Sequence, residues 1–247
     1  MTTTTIEHAV RRAIGYMHVN LGQDLTIDDM ARTAMFSKFH FTRIFRDVTG
    51  TSPGRFLSAL RMQEAKRLLV LTDFSVADIS SQVGYSSVGT FSSRFKACVG
   101  VSPSAYREFG GVLPKMAQHV DAGPRGAGTG GSVAHSLALR GRVVLPPGNE
   151  PGTVFVGLFP TRVRQGRPVR WAVLEEPGSF ELRDVPSGTW HILVHTTPYG
   201  AEEGAEVLSV GQHGPVTVRP GALLRPAEIV LRPLDVLDPP VLLARIP

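Results

Sequence analysis

The sequence predicts a multidomain chain, α then β. An all-α double helix-turn-helix domain is joined by a Gly-rich linker to an all-β sandwich. Three observations predict it. The stretch "FTRIFRDVTGTSPGRF" from Phe41 returns fifty residues later, from Phe91, as "FSSRFKACVGVSPSAY". Apolar residues recur at helical spacing as far as about Phe109, whereas from Leu137 onward short runs rich in Val, Leu, Phe and Trp alternate with Gly and Pro. Between them, "HVDAGPRGAGTGGSVAHS" at 119–136 is rich in glycine and has no large aromatic residue. It cannot bury enough apolar surface to offset its ordering entropy and reads as a flexible linker. The predicted boundaries are 6–110 for the helical domain, 111–136 for the linker and 137–247 for the sandwich.

Each helix of the first copy has a local cause. Ile27, Met30 and Ala31 lie on one face of a helix over about 26–33, with Thr26 or Asp24 available as its cap. Ser37 is placed to cap a second helix over about 38–48, whose core set is Phe41, Phe45 and Val48. Only a few residues, "AMFS", separate the two helices, which is the spacing of a helix-turn-helix.

The second copy repeats this design over about 76–83. Gly84 stops its first helix, and Ser86 or Ser87 caps the next, with Phe91, Phe95 and Cys98 as core. Each copy ends in G-x-S-P: glycine closes one helix, serine caps another and proline fills its first turn. Between the copies, 53–71 forms one amphipathic helix with Phe56, Leu57, Leu60, Ala65, Leu68 and Leu69 buried. It spans roughly 27 Å at ~1.5 Å per residue. Adjacent major grooves on one face of a duplex recur at ~34 Å. A rigid rod of this length can hold two recognition helices near that separation.

Charge agrees with an anionic partner for this half. The net charge of +5 lies wholly in residues 1–115, with 14 Lys+Arg against 9 Asp+Glu; the remainder is balanced at 12 against 12. Cys98 is the single cysteine, so no intramolecular disulfide can form and a reducing compartment is expected. Neither a signal peptide nor an apolar span of membrane length is visible, and a cytoplasmic protein without a membrane partner is expected.

Residues 6–109 resemble the DNA-binding domain of the AraC/XylS family of bacterial transcription regulators. The resemblance is carried by "LTIDDMARTAMFSKFHFTRIFRDVTGTSPGRFLSALRMQEAKRLL" and by "SVADISSQVGYSSVGTFSSRFKACVGVSPSAYR". It implies a sequence-specific regulator that sets its two recognition helices in adjacent major grooves of double-stranded DNA. It also implies base-reading positions at Phe39, Thr42 and Arg43. Their chemistry is suitable: Arg43 can donate two hydrogen bonds to guanine, and Phe39 can meet thymine methyls. Lys38, His40 and Arg46 suit phosphates, as does the hydroxyl of Ser37.

In the second copy the groove face would carry Gly89, Thr90, Ser92, Ser93 and Lys96. Base contacts are assigned to Gly89, Thr90 and Ser93, and phosphate contacts to Ser87, Arg94 and Lys96. Relatives often carry arginine where Ser93 stands; here Arg94 is displaced by one position, about 100° around the helix. The first helix is therefore expected to carry most specificity, and the second to hold phosphates or sense DNA shape.

The C-terminal half predicts six to eight strands. "G-R-V" at 141–143, "P-G-S-F-E-L" at 177–182 and "V-P-S-G-T-W" at 185–190 resemble a transthyretin-like or carboxypeptidase-regulatory-like sandwich. That class implies binding or packing, with no ligand licensed by the fold alone. His191 and His195 share a strand face, a spacing that can hold a metal with His213, but no cysteine or close carboxylate joins them. Neither a metal, a cofactor nor an enzyme activity is expected. Three uses remain for this domain: a small-molecule effector site, a dimer contact, or a protein contact such as RNA polymerase. The glycine segment argues against tight mechanical coupling of the halves. Two alternatives to the regulator remain: a nonspecific architectural DNA-binding protein, and a β-sandwich ligand- or protein-binding module localised on DNA.

Overall fold

The structure, a computed structural model, describes residues 3–111, 137–149, 152–199, 207 and 209–242. All of the expected linker except Gly111 lies outside the described residues. The chain divides into two compact units.

The first unit is helical: α1 (Thr3–Val19), α2 (Ile27–Ala34), α3 (Lys38–Thr49), α4 (Pro53–Leu71), α5 (Val76–Gln82), α6 (Val88–Val99) and α7 (Pro103–Glu108). Thr26, not Asp24, caps α2. Its hydroxyl accepts from the Asp29 backbone N–H, and the Asp29 carboxylate accepts in return from the Thr26 N–H. Bonds donated to it by the Thr26 hydroxyl, and then by the Thr26 backbone N–H, hold the Asp29 carboxyl below its ordinary range. Ser75 and Asp78 build the same reciprocal box at α5. Ser87, not Ser86, caps α6. Ser37 occupies the cap position of α3, but its hydroxyl makes no capping bond.

The repeated aromatics form two similar clusters. Phe45 meets Phe41 and Phe56 edge-on, each at 5.4 Å between ring centroids. Phe95 lies between Phe91 at 5.8 Å and Tyr106 at 5.5 Å. Ile44, not anticipated as core, is buried beside Phe41 and Phe45, while Val48 is only partly buried. Ala9, Val10, Ala13, Ile14 and Met17 of α1 complete the first cluster.

The two copies stop their first helices differently. Gly84 takes a positive φ of 80°, as expected. At the corresponding bend, Met35 adopts φ 59° with a side chain and is 76% exposed. A left-handed backbone costs an L-residue about 1–2 kcal/mol, and glycine escapes most of that cost. Met35→Gly is therefore expected to stabilise the helical unit by about 0.5–1 kcal/mol, read as a higher denaturant midpoint.

Two stretches from the C-terminal half also belong to this unit, Val163–Arg167 and Asp235–Ala244. Gly166 donates its N–H to the Cys98 carbonyl, and the Cys98 thiol lies 3.5 Å from Gln165 Oε1. Burial pushes that thiol's pKa up, against the opposing field of Arg94. Asp235 pairs with Arg11 of α1 at 2.8 Å, and Leu237 packs on the first core. The Leu242 N–H bonds the Arg164 carbonyl, joining the two stretches. The expected boundary at 137 did not anticipate these stretches, which lie beyond it in sequence and group with the helical unit.

The second unit is β-rich: β1 (Leu137–Val144), β2 (Thr153–Phe159), β3 (Arg170–Leu174), β4 (Ser179–Val185), β5 (Gly188–Thr197), β6 (Ser209–Val218), β7 (Ala227–Val230) and β8 (Arg232–Pro233). They form one sheet in the order β4-β1-β7 and another in the order β3-β2-β5-β6-β8. Among the described residues only β1 and β7 pair in parallel, Gly141 opposite Ala227 through Val144 opposite Val230. One core takes residues from both sheets, including Leu139, Phe180, Leu182 and Ile229 from the first and Val154, Val156, Ile192 and Val194 from the second. Strand alternation explains the choice. Phe180 and Leu182 enter the core, while Glu181 between them bonds Arg140 and Arg183, each at 3.0 Å. Those guanidinium groups hold the Glu181 carboxyl below its usual range.

Candidate nucleic-acid interface

A recognition helix must bury one face and present another. In α3 the periodicity does both. Phe41, Ile44 and Phe45 are buried, which leaves Lys38, Phe39, Arg43 and Arg46 exposed and Thr42 partly so. Phe39 is 88% exposed, so it is not a core aromatic. A phenyl ring so exposed adds little packing to the fold and remains available for contact.

The polar groups around it differ in availability. Lys38 Nζ lies 3.1 Å from Asp28 in an exposed ion pair, weak enough to exchange for a phosphate. The Thr42 hydroxyl donates to the Lys38 carbonyl at 2.9 Å, which fixes its rotamer and leaves its lone pairs outward. His40 stacks on Phe36 with centroids 4.9 Å apart and is half-buried. Among the described residues, Arg43 and Arg46 have no carboxylate partner. Their guanidinium groups are uncommitted donors, and guanidinium forks suit planar acceptors.

The corresponding face of α6 is smaller. Gly89, Thr90, Ser93 and Lys96 are exposed, and Phe91, Phe95 and Cys98 are buried. The Ser87 hydroxyl is engaged at the helix start, accepting from the Thr90 N–H at 3.3 Å. A methyl group on Gly89 would meet nothing nearer than Ser87 Oγ at 3.8 Å. Packing therefore does not require glycine there. What its bare backbone offers is a helix surface that another molecule can approach closely.

Arg94 departs from the expected outward cation. It is half-buried, and its Nε donates to Ser58 Oγ on α4 at 3.2 Å. The 100° displacement that takes it off the groove face turns it towards the linking helix. Sequence reasoning passed over a second arginine, Arg61, for the same reason. A charged residue inside an amphipathic stripe looks solvated until its tertiary partners are known, and Arg61 bonds two carbonyls of the α1–α2 connection.

In the β-rich unit, His191 and His195 share the β5 face opposite the core residues Ile192 and Val194, as alternation requires. His213 is paired opposite Ile192 on β6. Burial, and secondarily Arg162, lowers the His191 pKa. Among the described residues, no three His, Cys, Asp or Glu side chains gather as a metal would need. Nor, among them, is any helix long and apolar enough to cross a membrane.

Comparison with known proteins agrees with this geometry. Residues 30–108 match the family described as "Helix-turn-helix domain". The transcriptional activator AarP of Providencia stuartii is 38% identical over 88 residues, 36% of this chain and 65% of AarP. The lactose operon transcription activator of Staphylococcus xylosus is 30% identical over 102 residues, 41% of this chain and 37% of its own. The right origin-binding protein of Escherichia coli K12 is 34% identical over 98 residues, 40% of this chain and 34% of its own. This chain thus spans less than two thirds of each of these relatives.

Among solved structures, the C-terminal domain of AraT, a response regulator of Geobacillus stearothermophilus, is 34% identical with a TM-score of 0.40, covering 41% of this chain and 84% of that one. The DNA-binding domain of AdpA, solved with a target DNA, is 29% identical with a TM-score of 0.39, covering 40% of this chain and 90% of that one. With hydroxyl-capped starts at α2, α5 and α6, two buried aromatic clusters and outward faces on α3 and α6, residues 30–108 form a helix-turn-helix domain.

Proposed function

We propose that the whole chain is a sequence-specific DNA-binding transcription regulator, with its helical unit reading DNA and its β-rich unit serving as an accessory β-sandwich. The observation that carries the reading is the outward face of α3. There an exposed phenyl ring, Phe39, stands beside the uncommitted Arg43 guanidinium, and the opposite face of the same helix is buried. Phe39, Thr42 and Arg43 take the base edges, with Arg43 on a guanine. Ser37, Lys38, His40 and Arg46 take phosphates. On α6, Gly89, Thr90 and Ser93 lie against the groove with little direct readout, and Ser87 and Lys96 hold the backbone. Arg94, already bonded to Ser58, adds to the phosphate field mainly through its charge.

The α6 face favours a second reading. Its small side chains suit a nonspecific architectural binder, and one similar protein is named a right origin-binding protein. One experiment separates the two. Bound sequences are selected from a random duplex pool with wild type and Arg43→Ala, at one fixed near-physiological salt concentration, because phosphate contacts make affinity steeply salt-dependent. The regulator reading expects a motif of two half-elements about one turn apart. Arg43→Ala relaxes one guanine position, at a cost of about 1–3 kcal/mol. Binding without any motif overturns it in favour of the architectural reading.

The β-rich unit is offered as a transthyretin-like sandwich that holds an effector, a second copy or a protein such as RNA polymerase. The repeated alternation of core and outward residues on β4 and β5 supports the sandwich. A cytoplasmic location fits a DNA-binding chain with one buried free thiol.

A further inference from the structure

The two helix-turn-helix copies meet at a seam built around one side chain, Arg61, near the middle of α4. Its Nε donates to the Leu21 carbonyl at 3.0 Å, and its terminal nitrogen donates to the Gln23 carbonyl at 2.6 Å. Both acceptors lie in the connection that leads into α2, and Leu21 itself packs on the first core. The same guanidinium carbon lies 5.9 Å from the centroid of Tyr85, at the bend between α5 and α6. Tyr85 in turn packs edge-on against Phe91, the first core residue of α6, at 5.6 Å. One rigid planar group therefore reaches the first copy through two carbonyls and the second through an aromatic face.

The seam is close-packed on both sides of this arginine. A methyl group on Gly84 would lie 2.5 Å from the Leu21 carbonyl oxygen and 2.7 Å from the Arg61 terminal nitrogen. A methyl group on Gly22 would lie 2.7 Å from the Gln82 carbonyl oxygen. Backbone from the two copies touches here without intervening side chains. Such contacts transmit position well, because neither partner can yield by changing rotamer.

We infer that Arg61 is a positioning residue that fixes the separation and relative rotation of α3 and α6, and so sets the spacing of the two DNA half-elements the protein accepts. This rests on the regulator reading above. Arg61 touches no DNA in this account. It acts by holding two recognition helices, carried on either side of α4, as one caliper. Lysine cannot replace it: an ammonium group keeps the charge but loses the planar fork and the broad face laid over Tyr85.

The test uses the full chain and duplexes carrying the selected half-elements. Affinity is measured for the selected spacing, for spacings lengthened and shortened by one and two base pairs, and for a duplex with the first half-element alone. Wild type is expected to lose about tenfold or more at altered spacings. Arg61→Lys is expected to bind the single half-element like wild type and to lose about tenfold at the selected spacing. Its penalty for altered spacings should shrink to a few-fold. Should Arg61→Lys fail to fold by circular dichroism, Tyr85→Leu, which removes the ring beneath the guanidinium, is read in the same way. A variant that keeps the full wild-type spacing penalty overturns the inference and leaves the regulator reading intact. A wild type that selects no motif overturns both. A general role in stability alone would lower the melting temperature without altering the ratio of affinities between spacings.

Discussion

Phe45→Ala is expected to cost about 3–5 kcal/mol of stability. The ring is fully buried and lies edge-on to both Phe41 and Phe56, so alanine leaves a cavity that two other rigid rings cannot collapse to fill. That is a large share of the roughly 5–15 kcal/mol that holds an ordinary domain together. Denaturant unfolding followed by far-UV circular dichroism measures it. Phe39→Ala, six positions earlier on the same helix, is the control. Its ring is exposed, so stability should change by no more than about 0.5 kcal/mol. Affinity for the selected duplex should nonetheless fall by about 1 kcal/mol, through the lost contact with thymine methyls. If instead Phe39→Ala unfolds the domain, the assignment of faces on α3 is wrong.

Gly84→Ala carries the second large effect. The left-handed backbone there costs any L-residue about 1–2 kcal/mol. The added methyl also meets the Leu21 carbonyl oxygen at 2.5 Å, and a backbone atom cannot step aside. A total loss of about 3 kcal/mol or more is expected from strain and displacement together. Gly89→Ala is the paired control, since a methyl at that position has open room. Alanine favours a helix over glycine, so this variant should melt slightly higher, by up to about 0.5–1 kcal/mol. Thermal melts of the two proteins side by side decide the matter. A Gly84→Ala protein that melts no lower than wild type would mean that the bend at Gly84 tolerates a side chain, as the bend at Met35 does.

The helical half was legible because its signals are local. Spacing of three and four placed Phe41, Phe45, Phe91 and Phe95 in the core, and the G-x-S-P punctuation located the start of α4 at Pro53. Thr26 and Ser87 stand at helix starts for reasons contained within four residues. Ile44 was missed because a stripe drawn through Phe41 and Phe45 is narrower than the face that α1 and α4 cover. The outward face of α3 followed once the core face was known.

What the sequence did not disclose depends on distant partners. Arg94 was expected to face outward to a phosphate and Arg61 was passed over, and each is drawn inward by an oxygen supplied from another element. No periodicity marks 163–167 or 235–242 as parts of the helical unit. They are short and irregular, and their places depend on single contacts such as Arg11 with Asp235. The parallel pairing of β1 with β7 is similarly silent, since alternation identifies a strand's faces and not its neighbours.

The contribution of 235–242 to the helical unit has a consequence for the order in which the protein is made. Roughly 125 residues separate the end of α7 from Asp235, and a ribosome adds about 5–20 residues each second. The nascent helices therefore wait on the order of ten seconds for Leu237 and for the carboxylate that pairs with Arg11. A message broken anywhere within the β-coding region would release helices that lack this finishing piece. Premature products of translation would then be weaker folds than the full chain and readier substrates for proteases.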